Sequence, residues 1–384
     1  MYSILRNLFL FLVLFSFYNG FAQTMQIGIL TDYKLKKIKI NKAAGNYHIM
    51  ADSIYLGLVN SSDIIEVIFV SSGNMTVTIK GTKYSAIRRI SIYPILEEQS
   101  IQLTGITPVF NARQYEGDFV ITALKSSLRV VNEIDLETYL EGVIESEAGY
   151  SQKYEYYKVQ AIISRTYAKK NELKHNTDGY QLCDRVHCQV YHHKRLNNTQ
   201  IDSAVSATKH QILCLKNGDF APTFFSANCG GQTCNPSQVW NENIEGLHSF
   251  QDTFCIYTKQ ATWTKSIPIL DWISFLVNDY NFPIDDSISM QLLYDFKQEE
   301  RQAFYLHPAY GIPLRDLREE FKLKSTYFNA KKEGEFMVLY GYGFGHGVGL
   351  CQEGAMKMAR NSYSFDQIIG FYFPDYAISN IICK

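Results

Sequence analysis

Three places in this chain combine residue types at spacings that could do chemistry. The first is a carboxylate, Glu147, in LETYLEGVIESEA. At about 100° per residue from Leu136, Leu140 falls near 40°, Val143 near 340° and Ile144 near 80°, an apolar stripe. By the same count of about 100° per residue, Glu137, Glu141 and Glu145 fall near 100°, 140° and 180°, on the solvated side. Glu147 falls near 20°, within about the middle of the stripe. A carboxylate on a buried face loses solvation, and its pKa rises toward the range a general acid needs. The competing reading is that the helix ends before Glu147, which then caps or solvates the turn at Ala148-Gly149.

The second place is CDRVHCQVYHH, where Cys183, His187 and Cys188 lie close together and His175 precedes them. Thiolate and imidazole donors at such spacing suit a tetrahedral zinc ion. A Cys183–Cys188 disulfide, or pairing with Cys229, Cys234 or Cys255, is the alternative in an oxidising compartment. Downstream, NCGGQTCNPSQVW holds Cys229, Gly230, Gly231 and Cys234. It reads as a disulfide-stapled loop or as a place of close ligand approach.

The third place is GYGFGHGVGLCQEGA. Its glycines at 341, 343, 345, 347 and 349 alternate with Tyr342, Phe344, His346 and Val348. In an extended chain the glycines share one face, which is then bare and suits a backbone or a sugar ring. The spacing fits neither a dinucleotide-binding turn nor a P-loop. A His346–Cys351 nucleophilic pair has no orienting Asn or Asp assigned to it.

The elements that must position these residues follow from periodicity. Residues 24–130 read as short strands rich in β-branched and aromatic residues, separated by turn signals. Helices are expected over 133–148, capped by Asn132 or Asp135, and over 153–174. The second helix has a polar-small face of Gln160, Ala161, Ser164 and Ala168, with Arg165 beside it. Strand-like stretches resume at CQVYH, QILCL and PTFFSA. A mixed segment from 264 to about 320 has helical periodicity. A last strand pattern, EFMVLYGYGFGHGVGL, runs into a short helix near 352–360.

The fold class expected is α+β: a mixed, β-rich main domain with a long helix pair, preceded by a small β-rich N-terminal region. The expected boundaries are 1–22 for a signal peptide, 23–111 for the front region and 112–384 for the main domain. An insertion is expected at about 264–313. The signal rests on Arg6, the apolar run Leu8–Phe17 and Gly20-Phe21-Ala22 before Gln23. No later segment of the sequence is long and apolar enough to span a membrane, so an exported protein, periplasmic or extracellular, is expected. Its 37 basic and 38 acidic residues lack the basic excess of a nucleic-acid binder. All eight cysteines lie after residue 182, so their role belongs to the second half.

Five segments in order resemble the SpoIID/LytB family, cell-wall proteins named for a sporulation stage II protein and an amidase enhancer. They are LETYLEGVIESEA, VQAIISRTYA, CDRVHCQVY, FFSANCGGQT and GFGHGVGLCQEGA. The resemblance covers about 112–263 and 314–375. It implies a lytic transglycosylase acting on peptide-stripped peptidoglycan glycan, with Glu147 as acid/base. A single carboxylate suffices because the MurNAc 6-hydroxyl attacks its own anomeric carbon, giving 1,6-anhydro ends, unlike two-carboxylate glycosidases. The resemblance further implies substrate contacts at Arg165, Tyr167, Gln189, Ser226, Gly230, Gly231, His346 and Gln352. It also implies a structural zinc at Cys183, His187 and Cys188, with His175 as a fourth ligand. A non-catalytic, glycan-binding enhancer of a cell-wall amidase is the alternative role. A hydrolase with a catalytic zinc near Glu147 is a further one. Two departures stand out: Ala148-Gly149 follow Glu147 where the family often has Met-Pro, and Cys351 stands where Ser is usual.

Overall fold

The structure, a computed structural model, describes residues 23–96 and 99–380. The expected signal peptide lies outside them. The chain is α+β and β-rich, and divides into two compact units. One comprises the residues up to Ser146 together with Glu172–Leu196; the other comprises Glu147–Asn171 and the residues from Asn197 onward.

The first unit is built from two sheets. The larger runs, edge to edge, Leu182–Cys183, Thr24–Ile29, Leu128–Asp135, Asp118–Ala123, Arg89–Pro94, Tyr47–Ala51 and Ile54–Val59. The smaller runs Val109–Glu116, Ser100–Thr107, Lys37–Ala44, Ile65–Ser71, Asn74–Ile79 and Thr82–Ile87. In Thr24–Ile29, buried Met25 and Ile27 alternate with exposed Thr24 and Gln26, which identifies the core face of that strand. The expected boundary at 111 has no counterpart. Val109–Glu116 pairs with Ser100–Thr107 across it, and Asp118–Ala123 pairs with Arg89–Pro94.

The first expected helix begins three residues later than its pattern suggested, as Leu136–Ala148. Residues 133–135 instead complete the Leu128–Asp135 strand paired with Thr24–Ile29, because ladder hydrogen bonds outweigh helical periodicity there. Asp135 is the cap: its Oδ1 accepts from Glu137 N at 2.9 Å and Thr138 N at 3.2 Å. Asn132 is used differently, donating to the carbonyls of Glu116 and Asp118 and accepting from the Tyr191 hydroxyl. CQVYH forms no strand; it is irregular chain in which Tyr191 is buried against Tyr139 and Tyr115.

The second unit is organised around the helix Tyr154–Lys170, buried continuously from Tyr156 to Ala168 except for Lys158. The helices Gln200–Ala207, Gln352–Arg360 and Phe365–Tyr372 and the strand Gln211–Cys214 pack on it. Small residues let these neighbours approach, and Thr223 Oγ1 reaches the Ile163 carbonyl at 2.8 Å. The expected end of this helix at 174 falls short: it stops at Lys170, where Asn171 N closes on the Tyr167 carbonyl.

Residues 264–313, the expected insertion, contribute to a folded part of the second unit. Thr262–Pro268, Phe336–Tyr342, Phe328–Glu333 and Asp295–Phe296 make a four-stranded sheet in that order. The amphipathic helix Ile269–Tyr280 covers it, with Trp272 fully buried against Phe321 and Tyr305. This part therefore has its own hydrophobic core.

Candidate active site

Glu147 lies one residue before the end of the Leu136–Ala148 helix and is half-buried. The helix does not end before it, so the capping alternative fails. The angular reading erred on its neighbour. Glu145, placed on the solvated side, is 5% exposed, and its Oε2 accepts from Leu196 N at 2.5 Å. The irregular chain that follows the first unit's outer strand covers this flank, which helical periodicity alone cannot foresee.

Within electrostatic reach of Glu147 is Tyr156, wholly buried on the central helix of the second unit. Burial, reinforced by the negative charge of Glu147, pushes the Tyr156 phenol well above its ordinary value, so it remains a neutral hydrogen-bonding group. Its hydroxyl donates to Gln160 Oε1 at 3.1 Å, and Gln160 in turn donates to Ser164 Oγ at 3.2 Å. Sequence reasoning missed Tyr156, whose place on the helix reads as ordinary core.

Gln352 opens the helix Gln352–Arg360, directly after the two-residue strand Leu350–Cys351. That strand pairs in parallel with Phe225–Ser226, with Ser226 opposite Cys351. Two buried polar atoms on this wall have no hydrogen-bond partner: Ser226 Oγ and Gln352 Nε2. Unsatisfied buried donors and acceptors are costly and point to a missing ligand or water.

Other expected site residues serve the interior. Arg165 is fully buried, donating to the carbonyls of Gln211 at 3.0 Å and Val205 at 3.4 Å. Gln189 is fully buried and accepts from the Tyr139 hydroxyl. Neither presents surface to a glycan, so the expectation of direct contact is corrected for both. Tyr167 is 9% exposed.

The glycine-rich segment is also corrected. The strand ends at Tyr342, and Gly343, Gly345, Gly347 and Gly349 all have φ between +73° and +105°. The chain there is irregular, without a bare strand face. The space beside its glycines is already filled by protein. A Cβ on Gly343 would lie 2.5 Å from the Asn228 carbonyl, and one on Gly230 would lie 2.7 Å from the main chain of Tyr342. The half-buried Gly230 and Gly231 thus let their loop pack on 342–345, locked by mutual Asn228–Phe344 main-chain bonds. At Gly349 a Cβ would meet the Phe224 carbonyl at 2.2 Å, with φ +73°. Gly349→Ala combines left-handed strain with overpacking and is expected to cost about 3 kcal/mol or more, read as a lowered urea midpoint.

His346 lies in an open cleft of ≈ 710 Å³ lined also by Trp240, Arg315, Arg318 and Lys322. Burial, then the Arg318 and Arg301 charges, push its pKa down to about 4. The imidazole is therefore neutral, its Nδ1 accepting from Val348 N at 3.0 Å, and it packs on the Trp240 ring at 5.3 Å. His346 and Cys351 do not form a dyad, because Cys351 sits among other thiols.

In the first unit His175, Cys183, His187 and Cys188 converge, their ligating atoms all within 4.8 Å of one another. His175 Nε2 is 3.2 Å from His187 Nδ1, and both sulfurs are 3.8 Å from that nitrogen. A tetrahedral zinc with about 2.1 Å Zn–N and 2.3 Å Zn–S bonds needs donor separations of about 3.4–3.8 Å. The two sulfur–nitrogen separations of 3.8 Å match that range and the nitrogen–nitrogen separation of 3.2 Å is slightly shorter, and His175 Nδ1 bonds Asp178 Oδ2 at 2.7 Å, the carboxylate–histidine support typical of metal ligands. The Cys188 thiol, by hydrogen bonding, holds the Cys183 thiol down to about 4. Both cysteines are free, as are Cys229 and Cys234, so neither proposed local disulfide forms. The Cys234 thiol instead donates to Gln238 Oε1 and Asn235 O.

The family model described as Stage II sporulation protein matches residues 124–215. An uncharacterized protein of Brachyspira hyodysenteriae is 29% identical over 267 residues, 68% of this chain and 72% of that one. Stage II sporulation protein D of Bacillus subtilis is 27% identical over 274 residues, 67% of this chain and 78% of that one. The Amidase enhancer of the same bacterium is 26% identical over 286 residues, covering 61% of this chain but 39% of its own length. The matched region spans the helix that carries Glu147, the buried central helix and the thiol–imidazole cluster. Together with the five ordered motifs, these likenesses support the SpoIID/LytB family.

Proposed function

We infer that this protein is a lytic transglycosylase of the cell envelope, acting on peptide-stripped peptidoglycan glycan. The observation that carries the reading is Glu147: half-buried, in the last turn of a helix whose apolar face is buried, and within electrostatic reach of the neutral phenol of Tyr156. Its carboxylic acid donates a proton to the glycosidic oxygen as the bond to the MurNAc anomeric carbon breaks. The resulting carboxylate takes the proton of the 6-hydroxyl, whose oxygen bonds to the same carbon and closes the 1,6-anhydro ring. No water is consumed, and Glu147 ends protonated as it began. The unpartnered Ser226 Oγ and Gln352 Nε2 are suited to hydrogen-bond sugar hydroxyl or acetamido groups. The exposed part of Trp240 beside His346 offers an apolar face for a sugar ring.

The reading includes a structural zinc held by Cys183, His187, Cys188 and His175. Four protein ligands leave no open position, so the ion would clamp the fold and would not activate water. Export is supported by the disulfide at Cys214, since such bonds persist in oxidising compartments. Among the described residues no helix is long and apolar enough to cross a membrane.

Mass spectrometry of peptide-free glycan strands after incubation with the protein tests the activity. New 1,6-anhydro ends support it, and reducing ends or unchanged strands oppose it. The likeness to an amidase enhancer favours a second reading, a non-catalytic glycan binder. That reading expects strand binding without cleavage, together with faster peptide release by an added cell-wall amidase.

A further inference from the structure

The second unit holds another cluster that the proposed reaction does not use. Cys229, Asp252, Cys255 and Cys351 come from three separated stretches of chain, and each is at most 1% exposed. Their three sulfurs and one carboxylate oxygen all lie within 4.8 Å of one another. Cys229 Sγ is 3.4 Å from Cys255 Sγ and 3.3 Å from Asp252 Oδ2. A disulfide would bring two sulfurs to about 2.05 Å. Sulfur ligands of one tetrahedral zinc stand about 3.8 Å apart, and a sulfur and a carboxylate oxygen about 3.5 Å.

The surroundings suit a bound cation. Main-chain N–H groups point at the sulfurs: Cys229 N lies 3.2 Å from Cys351 Sγ, and Gly231 N–H bonds Cys255 Sγ. Asp252 is oriented by Phe254 N at 2.9 Å on Oδ1 and by the Tyr372 hydroxyl at 2.9 Å on Oδ2. Such fixing of a carboxylate is what a metal ligand receives from its outer shell. The guanidinium of Arg301 bonds the Cys229 carbonyl at 2.6 Å and lies near enough to offset negative charge. A fully buried carboxylate amid three thiols is costly without a cation, and a soft divalent ion repays that cost.

The geometry points to Cys229, Asp252, Cys255 and Cys351 as a second, closed metal site that takes Zn²⁺ through three thiolates and one carboxylate. Binding Zn²⁺ releases the three thiol protons and involves no oxidation. The ion ties the 229–231 loop and the 252–255 turn to the residue that directly precedes Gln352. It therefore stiffens the wall on which Ser226 and Gln352 stand. The site is independent of the thiol–imidazole cluster of the first unit.

The test is metal content of the full-length mature protein prepared with Zn²⁺ and cleared of loosely held ions. Two zinc ions per chain are expected in the wild type. Cys351→Ser and Cys255→Ser should each retain one, and Cys188→Ser should also retain one by losing the other. An undiminished zinc count in Cys351→Ser and Cys255→Ser overturns the proposal. So does a Cys229–Cys255 disulfide found by peptide mapping of the wild type without reduction. Because the variants risk misfolding, anomalous scattering at the zinc edge from crystals of the unaltered protein decides independently. A peak among the three sulfurs supports the site, and ordered sulfurs without one refute it. Neither readout uses glycan cleavage, so failure here is distinct from failure of the proposed activity.

Discussion

Glu147→Gln is expected to lower the formation of 1,6-anhydro ends by about 10²–10⁴-fold, the range lost with a general acid/base. This corresponds to about 3–5 kcal/mol of transition-state stabilisation. Glutamine has nearly the same shape and retains hydrogen-bonding capacity, but it cannot pass a proton to the leaving oxygen and recover one from the 6-hydroxyl. Circular dichroism and glycan binding should therefore be unchanged while product disappears. Glu145→Gln is the matched control two residues away. It weakens a charge-assisted bond to Leu196 N, at a cost of about 1–2 kcal/mol in stability. It should leave product formation near wild type. Equal cleavage by wild type and Glu147→Gln would remove Glu147 from the chemistry, and cleavage by neither would favour the enhancer reading.

Stripping zinc from the His175–Cys183–His187–Cys188 cluster is expected to lower the melting temperature by about 10 °C or more. Structural zinc contributes binding free energy directly to folding, and each kcal/mol is worth about 2–4 °C in a unit of this size. The effect should be local in origin. Leu182–Cys183 is the edge strand beside Thr24–Ile29, and the adjoining Asp184 is a hub. It accepts from Leu30 N, Thr31 N and Oγ1 and the Arg113 guanidinium. Hydrogen exchange should therefore quicken first across 172–196 and along the Thr24–Ile29 edge. His187→Ala should reproduce the chelator's effect, and added zinc should reverse it only in the wild type. A melting temperature and exchange pattern indifferent to chelation would show that the cluster is held by thiol and imidazole hydrogen bonds alone.

Much of this is legible in residue types and their spacing. The Leu136–Val143–Ile144 stripe identifies a helix buried on one face, and the structure buries all three residues. Asp135 reads as a cap from its chemistry and its position, and it is one. The donor types and spacing of Cys183, His187 and Cys188 suffice to nominate a cluster. His175, the expected fourth ligand upstream, joins it through the turn at Asn176–Asp178 that brings it back.

What escaped the sequence was decided by tertiary packing. Glu145 and Glu147 are two residues apart on one helix, yet the buried one is the one that periodicity assigned to solvent. Burial depends on what covers a face, and the cover over Glu145 comes from Leu196, some fifty residues on. The glycine run has a clear period of two, which predicts a flat strand. Its real geometry is set by the Asn228–Gly231 loop and by the Phe224 carbonyl pressing on it, and only positive φ accommodates them. Arg165 and Gln189 are polar types that ordinarily face water, but partners distant in sequence satisfy them inside.

The sequence by itself determined the local features: where helices lie, which strands alternate, which side chains can ligate or transfer a proton, and the family that their order resembles. Only the tertiary structure brought Tyr156 to Glu147 and set Ser226 opposite Cys351. It alone gathered Cys229, Asp252, Cys255 and Cys351 into one buried cluster. Local propensities act over a few residues, whereas contacts between residues a hundred apart depend on how whole elements pack and which polar groups that packing leaves unsatisfied.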